Sequence, residues 1–226
     1  IMFLQTFGPN PAGRDFAIGD LHGMYDLLFK TLESVNFDFE ADRCFSVGDL
    51  IDRGPKSPDC LSLIHEPWFH PVCGNHEDTL RTIARNPESS AILADWVLNG
   101  GQWHLKVSTE TMLEFANWVD SLPYLILVEQ HDGTRVALCH AEYPLHQWAP
   151  ERIAKDPELT RLLMWSRTKV QTGNTDQVTG VDHIICGHTI VDEPLTLGNS
   201  HFIDTGAFAS NTLTLFPLSD LNKINT

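Results

Sequence analysis

The sequence predicts an α/β protein in which two β-sheets face each other between outer helices, a four-layer αββα sandwich. In the first half of the chain, short apolar runs alternate with helical patterns, which is typical of parallel βαβ units. In the second half, apolar residues recur at every second position around a turn, which is typical of antiparallel strands. The length of 226 residues suits one large α/β unit, so we expect residues 1–226 to form a single domain.

The first half is expected to alternate strands and helices after an irregular start. Residues 1–14 contain prolines and glycines, and we interpret them as an irregular lead-in. Three strands are predicted over 16–19, 45–47 and 68–73, the first two of them parallel. Helices are predicted over 24–35 and 57–65. Ser57 before Pro58 indicates the second helix start, with the serine as N-cap.

The middle and the second half differ from this pattern. Helices are predicted over 78–84, 90–98 and 109–119, and we interpret residues 78–122 as a helical layer or lid. Strands over 124–129 and 134–139 flank a turn that ends in Gly133, which predicts a hairpin. A helix near 158–165, a polar loop around 171–177 and strands over 183–186, 201–204 and 213–216 complete the chain. The second half is therefore expected to form a mostly antiparallel sheet.

The composition argues against several classes of protein. The net charge is −15, which argues against a nucleic-acid partner because no excess of basic residues would meet the phosphates. Five cysteines without Cys-x-x-Cys spacing suit no closed disulfide framework, so we expect reduced thiols and a cytoplasmic location. The sequence shows no signal-peptide pattern and no apolar run long enough to span a bilayer. We therefore expect no membrane partner.

Several predicted strands end in Asp, Asn or His, mostly beside a small residue. Six of these residues are candidate ligands of a metal site: Asp20, His22, Asp49, Asn75, His140 and His188. Loops at one edge of a sheet converge, so we expect these side chains to lie close together. Carboxylates, imidazoles and one amide suit Mn²⁺ best, with Fe or Zn²⁺ as alternatives, because Ca²⁺ and Mg²⁺ prefer shells made only of oxygen.

The number of candidate ligands indicates two metal ions. Six ligands are too many for one catalytic ion that keeps a position for water. Two ions can hold an attacking hydroxide between them and bind the oxygens of a phosphoryl group. Asp49 comes from the central strand of the set, so it is the expected bridge between the ions.

Three of these segments also resemble the signature motifs of a known family. They are Gly19-Asp20-Leu21-His22-Gly23, Gly48-Asp49-Leu50-Ile51-Asp52-Arg53-Gly54 and Gly74-Asn75-His76-Glu77. Together they resemble the metal-dependent phosphoprotein phosphatases, in the compact bacterial and phage branch. Later motifs of the same family are matched by His140, Gly187-His188-Thr189 and Trp165-Ser166-Arg167. The middle segment of the family is resembled by Leu98-Asn99-Gly100-Gly101. Glu142 departs from the pattern, since many relatives have glycine there.

The resemblance implies a calcineurin-like αββα fold and hydrolysis of phosphomonoesters. It further implies that one metal ion is bound by Asp20, His22 and Asp49. The ligands it implies for the other are Asp49, Asn75, His140 and His188. The expected substrates are phosphoserine and phosphothreonine of proteins, and phosphotyrosine stays open.

Four further residues are expected to act on the substrate. His76 directly follows the ligand Asn75, and histidine is the usual proton donor near neutral pH, so His76 is the candidate general acid. Asp52 is its candidate orienting partner. Arg53 and Arg167 present planar guanidinium groups suited to phosphate oxygens. For Arg167 this assignment depends on the resemblance of Trp165-Ser166-Arg167 to the family motif.

Two other functions stay open from the sequence. Hydrolysis of symmetrical dinucleoside tetraphosphates occurs on the same scaffold, but relatives of that type tend to lack the equivalent of Asp52 and to carry Asp after Gly-Asn-His. This chain has both Asp52 and Glu77, which favours a protein phosphatase. A binding or scaffold protein without catalysis is the other alternative, and the complete set of ligands argues against it. Neither the physiological substrate nor the oligomeric state follows from the sequence.

Overall fold

The computed structural model describes residues 2–223. Ile1, which precedes Met2, lies outside this range, as do residues 224–226. Ten strands lie within it: β1 (Leu4–Phe7), β2 (Asp15–Ile18), β3 (Arg43–Ser46), β4 (Phe69–Pro71), β5 (Leu125–Glu129), β6 (Arg135–Leu138), β7 (His183–Cys186), β8 (Leu195–Leu197), β9 (Ser200–Phe202) and β10 (Leu215–Pro217). Across these described residues the strands form a four-stranded sheet, β10-β2-β3-β4, and a six-stranded sheet, β1-β5-β6-β7-β9-β8.

Helices cover the outer faces of the two sheets. Within residues 2–223 they are α1 (Tyr25–Ser34), α2 (Ser57–Ser62), α3 (Asn75–Arg85), α4 (Ser90–Leu98), α5 (Thr109–Val119), α6 (Pro150–Ile153), α7 (Pro157–Trp165), α8 (Thr168–Thr172) and α9 (Ala207–Ser210). Short 3₁₀ turns lie at Leu63–His65, Gly101–Lys106 and Leu218–Lys223. No helix of the described part of the chain is long and apolar enough to cross a membrane.

The apolar core lies in three layers. Phe45 and Val47 of the first sheet meet Ile126 and Leu138 of the second in a cluster that joins the two sheets. A second cluster packs the other face of the small sheet against α1 to α5, and a third packs the large sheet against α6 and α7. Alternate residues of a strand point to opposite faces, so each sheet presents one apolar face to the other sheet and one to helices. The predicted αββα sandwich is confirmed.

The local predictions of the first half and of the hairpin are confirmed. β2, β3 and β4 are parallel, and α1 connects the first two of them. β5 and β6 are antiparallel, and Gly133 in their turn has a φ of 86°, a conformation that favours glycine. The bounds of α4 and α5 agree with the prediction. The interpretation of residues 78–122 as a helical layer or lid stays a prediction, as does the assignment of residues 1–226 to a single domain.

The prediction of an irregular lead-in over residues 1–14 is wrong for residues 4–7, whereas residues 8–14 are irregular as predicted. Leu4–Phe7 forms β1, which pairs in parallel with β5 at the edge of the large sheet. The Phe7 ring packs on the ring of Phe45, 5.1 Å away, across the space between the sheets. The prolines and glycines that suggested irregular structure begin only at Gly8. A four-residue edge strand has too few positions to show a clear period.

The prediction of a mostly antiparallel second sheet is also wrong. β6, β7 and β9 are parallel neighbours, and antiparallel pairing in this sheet joins β5 to β6 and β8 to β9. β10 was expected to join this sheet but pairs antiparallel with β2 of the other one. A hairpin can be recognised locally, whereas strands separated by long connections are paired by packing that the local pattern does not encode.

Two smaller predictions need correction. Ser57 lies inside α2 and does not cap it, because its hydroxyl accepts a hydrogen bond from the Asp52 N–H at 2.9 Å. Part of the predicted polar loop at 171–177 belongs to α8. α3 begins at Asn75, earlier than predicted, which places Asn75 and His76 on its first turn.

Candidate active site

The six candidate ligands converge at the ends of strands from both sheets. Asp20 and His22 follow β2, Asp49 follows β3, His140 follows β6 and His188 follows β7. Asn75 opens α3 just after β4. All six side chains are buried. The structure therefore brings together every residue that the sequence placed in the metal site.

The backbone at these strand ends is held in an uncommon conformation. Five residues at these strand ends have positive φ values, in the left-handed region that non-glycine residues rarely adopt. They are His22 (43°), Asp49 (50°), Asp52 (73°), Arg53 (68°) and His188 (65°). The carbonyl oxygen of Asp49 accepts hydrogen bonds from the N–H groups of Leu21 and His22, which fastens two of the loops together. Strained backbone that the surrounding structure enforces is typical of functional sites.

Asp49 is the common member of two groups of donor atoms. One group contains His22, Asp49 and His76, the other contains Asp49, His140 and His188, and within each group the atoms lie within 4.8 Å of one another. Asp49 Oδ2 lies 3.6 Å from His22 Nε2 and 3.4 Å from His140 Nε2. This central position agrees with the predicted bridging role of Asp49, while the finding of His76 in the first group was not expected.

The histidines are oriented as metal ligands would be. His22 Nδ1 donates a hydrogen bond to the Ile51 carbonyl at 2.8 Å, and His140 Nδ1 donates to the Val47 carbonyl at 2.7 Å. A carbonyl oxygen can only accept, so each Nδ1 carries a hydrogen, and in the neutral ring Nε2 then keeps a lone pair. Burial lowers the pKa of His22 and of His188 to about 3, so both rings are neutral at pH 7, as a metal ligand must be.

The carboxylates at the base of the site fit a cation. Burial, followed by the neighbouring Asp204 charge, raises the pKa of Asp20 well above its usual value. In the described part of the chain, Asp204 Oδ2 is buried and has no hydrogen-bond partner. Asp20, Asp49 and Asp204 thus gather negative charge in a buried place, where divalent cations would compensate it. Together with neutral imidazoles, this donor set fits the metal ions that the resemblance implies.

Glu77 supports the Asp49 loop, a role the sequence reasoning did not assign to it. Its carboxylate accepts hydrogen bonds from the N–H groups of Asp49, Leu50 and Gly74 at 2.9, 2.8 and 2.9 Å. Burial and then the Asp49 charge raise the pKa of Glu77 to about 7. The position of Glu77 in Gly74-Asn75-His76-Glu77, at the N-terminus of α3, was the available signal.

His76 and Asp52 form the predicted pair. His76 Nδ1 lies 2.6 Å from Asp52 Oδ2. The indole N–H groups of Trp96 and Trp103 donate to the same carboxylate, at 2.6 Å each. Burial lowers the pKa of His76, but the Asp49 charge and the hydrogen bond to Asp52 outweigh it and raise the pKa above its usual value. No motif pointed to the two tryptophans, because they are more than 40 residues from Asp52 in the sequence.

Both candidate phosphate-binding arginines line one pocket beside these groups. The pocket has a volume of about 80 Å³, and its lining includes Asp49, Asn75, His76, His188, Arg53 and Arg167. The Arg53 guanidinium lies 4.7 Å from the centre of the Phe208 ring and 2.5 Å from His22 Nε2. Its backbone N–H donates to the Gly100 carbonyl at 3.2 Å. Arg167 is exposed and approaches from the corner between α7 and α8.

Comparisons with known proteins relate the chain to one family. Residues 16–192 match the family model of calcineurin-like phosphoesterases. Serine/threonine-protein phosphatase 1 of Salmonella typhimurium (strain LT2) is 36% identical over 205 residues, which cover 88% of this chain and 89% of that protein. A symmetrical bis(5'-nucleosyl)-tetraphosphatase of Dechloromonas aromatica is 39% identical over 101 residues, which cover 36% of each protein.

Solved structures share the fold at lower identity. A protein described as a candidate diadenosine tetraphosphatase superposes with a TM-score of 0.64 at 19% identity, and the match covers 96% of this chain and 98% of that one. A cold-active protein-tyrosine phosphatase from Shewanella gives a TM-score of 0.59 at 16% identity, covering 95% and 77%. At such identities the likeness shows a common fold and no particular substrate.

Proposed function

Because the chain belongs to the calcineurin-like phosphoesterase family, we propose that it is a metal-dependent phosphomonoesterase that removes phosphate from phosphoserine and phosphothreonine of proteins. The similarity to a named serine/threonine phosphatase extends over 88% of the chain, whereas the similarity to a tetraphosphatase extends over 36%. This difference favours protein substrates. The observation that carries the mechanism is the His76–Asp52 contact of 2.6 Å, beside a pocket that both arginines line.

We propose two metal ions at the base of this pocket. Asp20, His22 and Asp49 would hold one, and Asp49, Asn75, His140 and His188 the other. The place of Asp49 in both groups of donor atoms supports this division. When bound, the ions supply a water nucleophile and neutralise charge on the phosphoryl oxygens. The mixture of carboxylates and imidazoles supports Mn²⁺, with Fe or Zn²⁺ as alternatives. A cytoplasmic location stays part of the proposal, and the five free thiols are compatible with it.

The side chains around the ions would bind the phosphoryl group and deliver a proton. Arg53 and Arg167 donate hydrogen bonds to its oxygens, and each guanidinium can offer two parallel N–H groups. His76 donates the proton of Nε2 to the oxygen that leaves with serine or threonine. Asp52 accepts from Nδ1, which orients the ring and stabilises its protonated form. Trp96 and Trp103 keep the Asp52 carboxylate in place.

A paired assay tests this function. The purified protein, supplied with Mn²⁺, is given a phosphoserine peptide in one arm and a dinucleoside tetraphosphate in the other. We expect release of inorganic phosphate from the peptide with the higher kcat/KM. Preference for the tetraphosphate would contradict the proposal in favour of the second enzyme. A protein that retains metal but hydrolyses neither substrate would indicate a binding or scaffold protein.

A further inference from the structure

Glu142 connects the strand end that carries His140 to the corner that carries Arg167. It lies two residues after His140, and its side chain is buried. One carboxylate oxygen accepts a hydrogen bond from the Ser166 hydroxyl. The other accepts from the Lys169 backbone N–H at 2.8 Å. Glu142 therefore holds the chain on both sides of Arg167.

The corner that Glu142 holds is the short non-helical link between α7 and α8. α7 ends at Trp165, Ser166 is extended, and α8 begins at Thr168. Lys169 is in the first turn of α8, where backbone N–H groups have no partner within the helix. The carboxylate of Glu142 satisfies one of these groups, so it acts as a cap supplied from a distant part of the chain.

Arg167 depends on this anchoring more than Arg53 does. The Arg53 guanidinium packs on the Phe208 ring, and its backbone is bonded to Gly100. The exposed Arg167 guanidinium, by contrast, makes no hydrogen bond or ion pair with any other residue between 2 and 223. Its place at the pocket is thus set by its backbone. A flexible arm would lose more conformational entropy when it bound phosphate.

We propose that Glu142 is a positioning residue, which holds the Arg167 backbone beside the pocket by clamping the Ser166–Lys169 corner to the His140 strand end. This inference rests on the proposed function in one respect, namely that Arg167 binds the phosphoryl oxygens. The Ala141 N–H adds a further link between the same segments, since it donates to the Leu163 carbonyl at 2.9 Å. The clamp orders the backbone at Arg167 before substrate arrives, so that only the side chain has to be ordered on binding, which reduces the entropic cost.

The test combines hydrogen exchange with kinetics on the metal-loaded protein. In Glu142→Ala, amide exchange in a peptide covering residues 166–170 should be faster than in the unaltered protein. KM for a phosphoserine peptide and Ki for inorganic phosphate should rise together by about tenfold, the size expected when one charge-assisted contact is weakened. Metal content should be unchanged. Glu142→Gln keeps one acceptor oxygen and should give a smaller change, which also provides a milder variant if the alanine variant folds poorly.

Two further variants separate positioning from general destabilisation. Glu158→Ala is a matched control, because Glu158 is an exposed glutamate of α7 that pairs only with Arg161 in the described structure. It should change neither the exchange at the corner nor the kinetic constants. The double variant of Glu142→Ala with Arg167→Ala should be no worse than Arg167→Ala alone, since a positioning residue acts through the group that it positions.

Each contrary result has a distinct meaning. Unchanged exchange in Glu142→Ala would overturn the clamp, whatever the enzyme does. Faster exchange with unchanged KM and Ki, where Arg167→Ala does raise both, would overturn the positioning role. If Arg167→Ala itself changed neither constant, the assignment of Arg167 to phosphate in the proposed function would fail instead, and the positioning of a phosphate-binding arginine would fail with it.

Discussion

His76 is the residue whose protonation state would decide the chemistry of the pocket. Its ring is held by Asp52 through Nδ1, and the other ring nitrogen, Nε2, lies 3.8 Å from Asp49 Oδ2. Two tryptophan N–H groups restrict the Asp52 carboxylate in turn. Without the hydrogen bond to Asp52, the imidazole ring could adopt several orientations. The contact with Asp52 selects the orientation in which Nε2 is available for proton transfer.

Replacing His76 should affect substrates according to their leaving group. We expect His76→Asn to lower kcat for a phosphoserine peptide by roughly 10²- to 10⁴-fold, the range typical of lost proton transfer. The loss for p-nitrophenyl phosphate should be smaller, because p-nitrophenolate leaves without needing a proton. Steady-state kinetics on both substrates measure this. His65→Asn, a change at an exposed histidine, is the control, and equal losses on the two substrates would exclude His76 as the general acid.

The raised pKa of His76 predicts a pH dependence. The Asp49 charge and the Asp52 hydrogen bond, working against burial, lift this pKa above its usual 6.5. A general acid must be protonated, so kcat of the metal-loaded enzyme should fall as the pH rises through the pKa of His76. In the metal-free protein, protonation of His76 also stabilises the fold below pH 6.5, and that contribution is lost as the pH rises through the raised pKa.

Asp52→Asn removes the charge of one of the two carboxylates that raise this pKa. The alkaline limb of the kcat profile should therefore move to lower pH, and kcat at its maximum should also fall. Profiles of kcat against pH for the two proteins provide the measurement. Asp59→Asn, at a carboxylate of α2 outside the pocket, should leave the limb in place. If the alkaline limb stayed in place in Asp52→Asn as well, it would not report the protonation of the His76–Asp52 pair.

At the scale of elements, the helical segment over 78–122 supplies contacts that reach into the site. α4 carries Trp96, and the 3₁₀ turn after it carries Trp103. Gly100, between them, accepts a hydrogen bond from the Arg53 N–H. One connection thus supports both Asp52 and Arg53. The segment therefore contributes contacts to the site as well as an outer layer, and its interpretation as a lid stays a prediction.

The turn at Gly100 should not tolerate a side chain. Gly100 has a φ of 108°, and an added Cβ would clash with the Arg53 backbone nitrogen. Gly100→Ala should therefore displace Arg53 and raise KM and the Ki of phosphate by roughly tenfold, through a weakened charge-assisted contact. Gly133→Ala is the matched control, since Gly133 has a φ of 86° with nothing within 4 Å.

Both glycine variants should lose stability through backbone strain, by about 1–2 kcal/mol each. Only Gly100→Ala should change phosphate binding. The two effects are separated by measuring thermal unfolding and phosphate inhibition on the same preparations. Equal values of KM and of the phosphate Ki in the two variants would show that the Gly100 contact does not position Arg53.

At the scale of the whole molecule, the site lies where the ends of the two sheets meet. Asp20 and Asp49 come from the small sheet, and His140 and His188 come from the large one. Bound cations would therefore link the two halves of the sandwich. They would also offset the buried carboxylates, among which Asp20 already has a raised pKa through burial and the Asp204 charge.

Metal removal should accordingly lower the thermal stability. A ligand at about 100 times its Kd stabilises the native state by roughly 2.7 kcal/mol, and for a chain of this size each kcal/mol raises Tm by about 2–4 °C. We expect chelator-treated protein to unfold at least about 5 °C below protein with Mn²⁺, in calorimetry or circular dichroism. An unchanged Tm would contradict two tightly held ions.

Variants of the ligands refine this prediction. Asp49→Asn should lose most of the Mn²⁺-dependent shift because Asp49 belongs to both donor groups. Asp20→Asn should keep part of it, with metal content measured by elemental analysis. Asp26→Asn, at an exposed carboxylate of α1, should behave like the unaltered protein. Retention of two ions in Asp49→Asn would exclude the bridging role.

The sequence by itself determined the features that are encoded within a few residues. The ends of strands are marked by apolar runs followed by Gly and Asp or His, so the metal-site candidates could be read directly. The hairpin around Gly133 and the bounds of α4 and α5 follow from side-chain periods of two and 3.6 residues, which depend only on local backbone geometry. The motifs that combine these signals were enough to predict the family, which the match over residues 16–192 confirmed.

The tertiary structure alone decided which distant segments meet. β10 returns to pair with β2, Trp96 and Trp103 reach Asp52, and the carboxylate of Glu142 caps α8. None of these contacts has a local signature, because a strand edge, an indole N–H or a carboxylate can satisfy its hydrogen bonds with many partners. The choice among those partners is made by packing of the whole sandwich, in which apolar faces are buried together and polar groups are paired across long loops.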